Sequence, residues 1–131
     1  MKFTALYSRL SVGDEDRGNN ESNSIKTQKE ILEGYAKQNN FGNIKHYVDD
    51  DESGRFFDRP AYSAMKEDIK SGKVDIAICK DLSRWGRNYL EVEKAIEELR
   101  QLKVRFIAIH DNVDSINEET LRFAPFLKGI C

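Results

Sequence analysis

The sequence predicts an α/β fold: a mainly parallel sheet with helices on both faces. Short strand-like runs, rich in β-branched and aromatic residues, fall at about 2–8, 44–49, 74–79 and 104–110. Helical patterns with apolar residues three to four apart lie between them. Such alternation favours parallel pairing, because a parallel crossover needs a connection about as long as a helix.

Taken in order, Phe3-Thr4-Ala5-Leu6-Tyr7 opens the chain as an apolar strand straight after Met1-Lys2, which reads as no signal peptide. The first helix covers about 23–39, with Ile25, Leu32, Tyr35 and Ala36 on one face. Ser22, Asn23 or Ser24 is its cap. The second helix starts at Pro60, suited to a first turn, and turns Tyr62, Met65 and Ile69 inward. The third runs about 88–102 on a stripe of Val92, Ala95, Ile96, Leu99 and Leu102. A fourth opens near Asn117, where Glu118 and Glu119 suit an N-terminus. Two polar loops, at 12–21 and 49–59, stand out, and there are no internal repeats.

At 131 residues the chain can hold one domain with a real core. Apolar content of 39% and charged content of 34% are those of an ordinary globular class. No apolar stretch approaches a membrane span. Cys79 lies in an apolar strand and Cys131 ends the chain, which is no disulfide framework and fits a reducing cytoplasm. The net charge of −2 is unlike a DNA-gripping surface. Either DNA is not the partner or the main grip lies elsewhere.

The chemistry gathers just beyond strand ends. Ser11 follows the first strand, and Arg9, two residues earlier, points to the same side. Arg84 and Arg87 follow the third strand and share a face if a helix begins there. Arg59 precedes Pro60 at another helix start. Any one of these reads as a capping serine or a solvated arginine. Four arginines at carboxyl-end positions of three strand–helix units are harder to set aside, because guanidinium forks match phosphate oxygens. In parallel sheets ligands bind beyond the carboxyl ends of strands, where strand order reverses. If the first and third strands are neighbours there, the two motifs meet. Gln28 falls on the apolar stripe of the first helix and needs partners. It either braces the Arg9/Ser11 region or caps a loop carbonyl. The acidic run Asp49-Asp50-Asp51-Glu52 raises a metal-nuclease alternative, although four consecutive acids cannot all face one ion. His46 and His110 stand alone, without metal-ligand spacing, and no phosphate-binding glycine motif or zinc spacing occurs.

Taken together, the strings resemble the catalytic domain of the serine recombinase (resolvase/invertase) family. The matching pieces are Tyr7-Ser8-Arg9-Leu10-Ser11, Ser24-Ile25-Lys26-Thr27-Gln28, Glu52-Ser53-Gly54 leading to Asp58-Arg59-Pro60, and Asp81-Leu82-Ser83-Arg84-Trp85-Gly86-Arg87. Each is weak singly; in this order they are highly specific. The long acidic insertion after Ser11, the Asp81-Leu82-Ser83-Arg84 form and Phe123-Ala124-Pro125-Phe126 look like the large serine recombinases of conjugative and mobilisable transposons.

The resemblance implies a site-specific DNA recombinase that cleaves and rejoins DNA through a 5′-phosphoserine on Ser11, for excision or integration of a mobile element. Arg9, Arg59, Arg84 and Arg87 would match its phosphate-binding arginines, and Gln28 its supporting glutamine. No metal or other cofactor is then needed. Smaller resolvases carry an aspartate directly before the first arginine of the third motif. Here that place is Ser83, with Asp81 two residues earlier, so the general acid and base are unassigned. The partners implied are DNA and further copies of the chain, dimer to tetramer in the full-length protein, with no membrane. On this reading residues 1–116 are the catalytic domain and 117–131 the start of a truncated fourth helix. A separate C-terminal DNA-binding region is absent, so the fragment is expected to be inactive alone. The alternative is a phosphate-binding or oligomerisation fragment without activity of its own.

Overall fold

The computed structural model describes residues 2–9, 24–49, 60–85 and 89–116, and of Ser83 and Tyr89 the backbone only. Its elements in chain order are β1 (Phe3–Arg9), α1 (Ile25–Gln38), β2 (Ile44–Asp49), α2 (Pro60–Lys70), β3 (Val74–Cys79), α3 (Leu82–Trp85), α4 (Tyr89–Gln101), β4 (Arg105–Ala108) and β5 (Val113–Asp114).

The strands form one sheet in the order β2-β1-β3-β4-β5. The first four are parallel, and β5 returns antiparallel along β4. β1 is buried from Thr4 through Ser8 because both faces of the sheet are covered, as a central parallel strand requires. Leu6, Ile78 and Ile107 pack on one face against Leu32 and Ala36 of α1. Ala5, Tyr7, Ala77, Cys79 and Phe106 pack on the other against Met65 and Ile69 of α2 and Val92, Ile96 and Leu99 of α4. The chain leaves β1 toward β2 on one side and returns to β3 on the other. Strand order therefore reverses between β1 and β3, which pair from Phe3 to Tyr7.

Local chemistry sets the boundaries. Ser24 caps α1, its Oγ accepting from Thr27 N–H at 3.1 Å. Asn40 and Gly72 adopt positive φ just past α1 and α2, where helices commonly end in the left-handed region. α2 begins at Pro60 with its second and third amides on the Asp49 carboxylate.

The structure corrects several expectations. The fourth strand is 105–108 rather than 104–110, and the chain then turns at Asn112 (φ 59°) into the unforeseen β5. That return is clipped by Arg105, whose Nε and NH2 donate to the two Asp114 oxygens at 2.9 and 2.6 Å. A separate short helix, α3, precedes α4, which begins at Tyr89. Leu102 lies past the end of α4 and is exposed rather than on its buried stripe. The expected helix near 117 falls outside the described residues.

Candidate active site at the β1/β3 switch point

The carboxyl ends of β1 and β3 lie side by side, and the residues following them lock together. Arg9, the last residue of β1, donates from Nε to the Arg84 carbonyl at 3.1 Å. Arg84 donates from NH1 to the Arg9 carbonyl at 3.0 Å. This exchange joins β1 to α3 across the reversal of strand order. Arg84 is 3% exposed, although it carries a full charge. Its Nε lies 3.6 Å from Asp81 Oδ1, the acid that starts its turn.

Gln28 completes the lock from the opposite helix layer. Its Oε1 accepts from Arg9 N–H and its Nε2 donates to the Arg9 carbonyl, both at 3.0 Å. The side-chain amide thus treats the Arg9 peptide as a neighbouring strand would. Of the two readings for this glutamine, the brace on Arg9 is the one observed. Gln28 is fully buried, where an unpaired amide would be costly.

Beneath the lock lies a cluster of rings. Tyr7 and Tyr62 are 5.5 Å apart, and Trp85 packs edge-on at 5.9 Å from Tyr7 and 5.5 Å from Tyr62. Trp85 also packs 4.8 Å from Phe106. Each of the first three rings lies within three positions of a candidate arginine in sequence: Tyr7 of Arg9, Tyr62 of Arg59, Trp85 of Arg84. Asp49 ties two of these segments. Its Oδ2 accepts from Tyr7 OH at 2.7 Å and Tyr62 N–H at 3.0 Å, and its Oδ1 from Ala61 N–H at 2.9 Å. Asp49 is buried, and both its oxygens are engaged by protein donors.

On the β4 side, Asp111 Oδ2 accepts from Leu82 N–H, the first amide of α3, at 2.6 Å. Burial pushes the Cys79 thiol well above its usual range, and Asp81 and Asp111 push it further, against Arg84. The thiol stays protonated and faces the Asp81 carbonyl at 3.2 Å. Cys79 is thus a core residue, not a second nucleophile.

Of the residues singled out from sequence, Arg9, Gln28, Asp81 and Arg84 come together. Ser11, Arg59 and Arg87 lie outside the described residues, as does the side chain of Ser83. The contributions of Tyr7, Asp49 and Asp111 were not anticipated. His46 pairs with Glu33 at 2.6 Å, away from this cluster in the chain's fold order, linking β2 to α1. Among the described residues, no three His, Cys, Asp or Glu side chains are grouped to hold a metal ion, and no helix is long and apolar enough to cross a membrane.

The family model described as "Resolvase, N terminal domain" matches residues 4–130. A Bacillus subtilis (strain 168) protein named "Putative DNA recombinase" is 27% identical over 120 residues, covering 92% of this chain and 23% of that protein. The chain thus spans less than a quarter of that relative. The N-terminal catalytic domain of TP901-1 integrase superposes with a TM-score of 0.79 at 24% identity, covering 98% of this chain and 93% of that one. A resolvase family site-specific recombinase from Streptococcus pneumoniae gives 0.76 at 26% identity, covering 99% and 87%.

Proposed function

The chain belongs to the resolvase N-terminal domain family, the catalytic domain of serine recombinases, and from that premise we propose that it cleaves and rejoins DNA through Ser11. In this reaction Ser11 Oγ attacks a backbone phosphorus. A 5′-phosphoserine bond forms as Oγ gives up its proton, the bond to the 3′ oxygen breaks, and that oxygen takes up a proton and leaves as a 3′-hydroxyl, so that no net proton is consumed. The covalent intermediate conserves the phosphodiester bond for religation. Arg9 and Arg84, with Arg59 and Arg87, neutralise charge developing on the phosphoryl oxygens. Gln28 holds the Arg9 peptide so that the arginine meets the phosphate without reorganising.

The reciprocal Arg9–Arg84 lock is the observation that carries this reading. Two cationic side chains are held together at the carboxyl-end edge of the sheet where ligands bind in such folds, with Asp81 3.6 Å from Arg84. Such a pair is stabilised by an anion between or above the guanidinium groups. The metal-nuclease alternative gains nothing from Asp49, whose oxygens already serve three protein donors.

Substrate and partners follow the same reading: DNA recombination sites of a mobile element, and other copies of the protein in a cytoplasmic complex. The net charge of −2 supports a duplex grip supplied by segments other than residues 1–116. The test is a trapping experiment with the full-length protein on its recombination sites. A covalent protein–DNA adduct forms with the wild type and is absent in Ser11→Ala, with the fold intact. An adduct at normal yield in Ser11→Ala, or one mapped to Ser8, overturns the assignment.

A further inference from the structure

We propose that Asp111 is a positioning residue: its carboxylate sets the turn that presents Arg84 to Arg9. The inference depends on the recombinase reading only for the identity of the anion that the arginines hold.

α3 has four residues, too few to sustain a helix alone. Its leading amides have no acceptors within the helix and need them from elsewhere. The chain beyond β4 supplies one. Ile109 N–H donates to the Cys79 carbonyl at 3.1 Å and His110 N–H to the Lys80 carbonyl at 2.8 Å. These bonds extend the β3–β4 ladder past both strands and bring Asp111 opposite the start of α3. There Asp111 Oδ2 takes the Leu82 amide at 2.6 Å. The turn itself closes through Arg84 N–H on the Asp81 carbonyl at 3.1 Å. Its far end is anchored by Trp85 in the core.

Arg84 sits between these two anchors, and both its guanidinium and its carbonyl engage Arg9. A displacement of Leu82 therefore moves two contacts of the lock at once. Asp111 also brings a negative charge, close enough to act on the Cys79 thiol together with Asp81 and Arg84. Its two effects on an anion oppose each other. The hydrogen bond favours binding by fixing Arg84, and the charge disfavours it.

That opposition gives a test with a sign. Asp111→Asn keeps an acceptor for Leu82 N–H and removes the charge, whereas Asp111→Ala removes both. The probe is inorganic phosphate, titrated into the chain at constant ionic strength. The signals are the Arg9 and Arg84 Nε–Hε resonances, with thermal melts to verify folding. The wild type and D111N bind phosphate equally, or D111N binds more tightly. D111A binds about tenfold more weakly, the scale of losing one hydrogen bond to a charged group, and its Arg84 resonance shifts while that of D111N stays in place.

Tighter binding in both variants makes Asp111 a charge only and overturns the proposal, as does an Arg84 resonance unmoved in D111A. Should D111A not fold, Asp111→Ser replaces it, its hydroxyl one bond short of the carboxylate oxygens. If the wild type ignores phosphate, the anion reading fails separately. The Arg84 resonance then decides alone: shifted without the acceptor and restored by asparagine, or not.

Discussion

Asp49→Ala should be the most destabilising polar substitution near the site. One carboxylate, 7% exposed, receives the Tyr7 hydroxyl and the amides of Ala61 and Tyr62 at 2.7 to 3.0 Å. A hydrogen bond to a charged group contributes about 1.5–3 kcal/mol, and loss of a helix cap alone costs about 1 kcal/mol. The three bonds share one acceptor, so they do not add in full, and the buried charge removed is itself a desolvation cost recovered. A loss of about 3–5 kcal/mol results, a large part of a stability that is typically about 5–15 kcal/mol. Urea unfolding of the wild type, Asp49→Ala, Tyr7→Phe and the double variant measures it. The Tyr7–Asp49 coupling should be about 1–2 kcal/mol, and amide exchange should show α2 opening first at Ala61 and Tyr62. A loss below about 1 kcal/mol, or additive single effects, would refute the reasoning that this carboxylate joins β1 to α2.

Arg84→Lys keeps the charge but cannot serve the Arg9 carbonyl and a phosphate as a planar fork does. DNA cleavage by the full-length variant should fall about a hundredfold, roughly 3 kcal/mol, and a near-normal rate would reduce Arg84 to a buried structural ion. Gln28→Leu fills the same space while removing both bonds to the Arg9 peptide. It should cost about 2–3 kcal/mol in urea unfolding, and a neutral result would mean that the Arg9 strand end holds itself. The Tyr47 hydroxyl, outweighing the opposing effect of burial and helped by Lys45, holds the Asp68 carboxyl below its ordinary 3.8. The unfolded chain therefore takes up this proton first. The resulting stability is fully present above that pH and is lost as pH falls through the lower folded value. Tyr47→Phe should flatten this acid limb in a plot of urea midpoint against pH; an unchanged slope would contradict the assignment.

Much of this arrangement was legible because one physical signal spoke at a time. Residues 44–49 and 74–79 read as strands on β-branched and apolar content, and the structure places β2 and β3 there to the residue. Gln28 was conspicuous as an amide on an apolar stripe, and the structure turns it onto Arg9. β5 escaped because two residues carry no periodicity. Its existence depends on a turn at Asn112 and on Arg105 meeting Asp114. Asp49 was hidden among consecutive acids, where sequence does not distinguish a buried helix cap from any other carboxylate of the run. Asp111 is far from α3 along the chain, and only the β3–β4 ladder brings them together. Such roles belong to tertiary placement, which local pattern does not encode.

Trp85 is the chain's single tryptophan, and it follows Arg84 directly. At 1% exposure, with its ring against Phe106, Tyr62 and Tyr7, it should emit as an indole shielded from water. The protein therefore carries a built-in optical probe one residue from its candidate anion site. Blue-shifted emission, shielded from acrylamide, should redden and become quenchable when α3 lifts from the core. Stopped-flow fluorescence could then time the assembly of the arginine pair without any added label, and emission already red in the folded protein would show that the ring is not where it packs here.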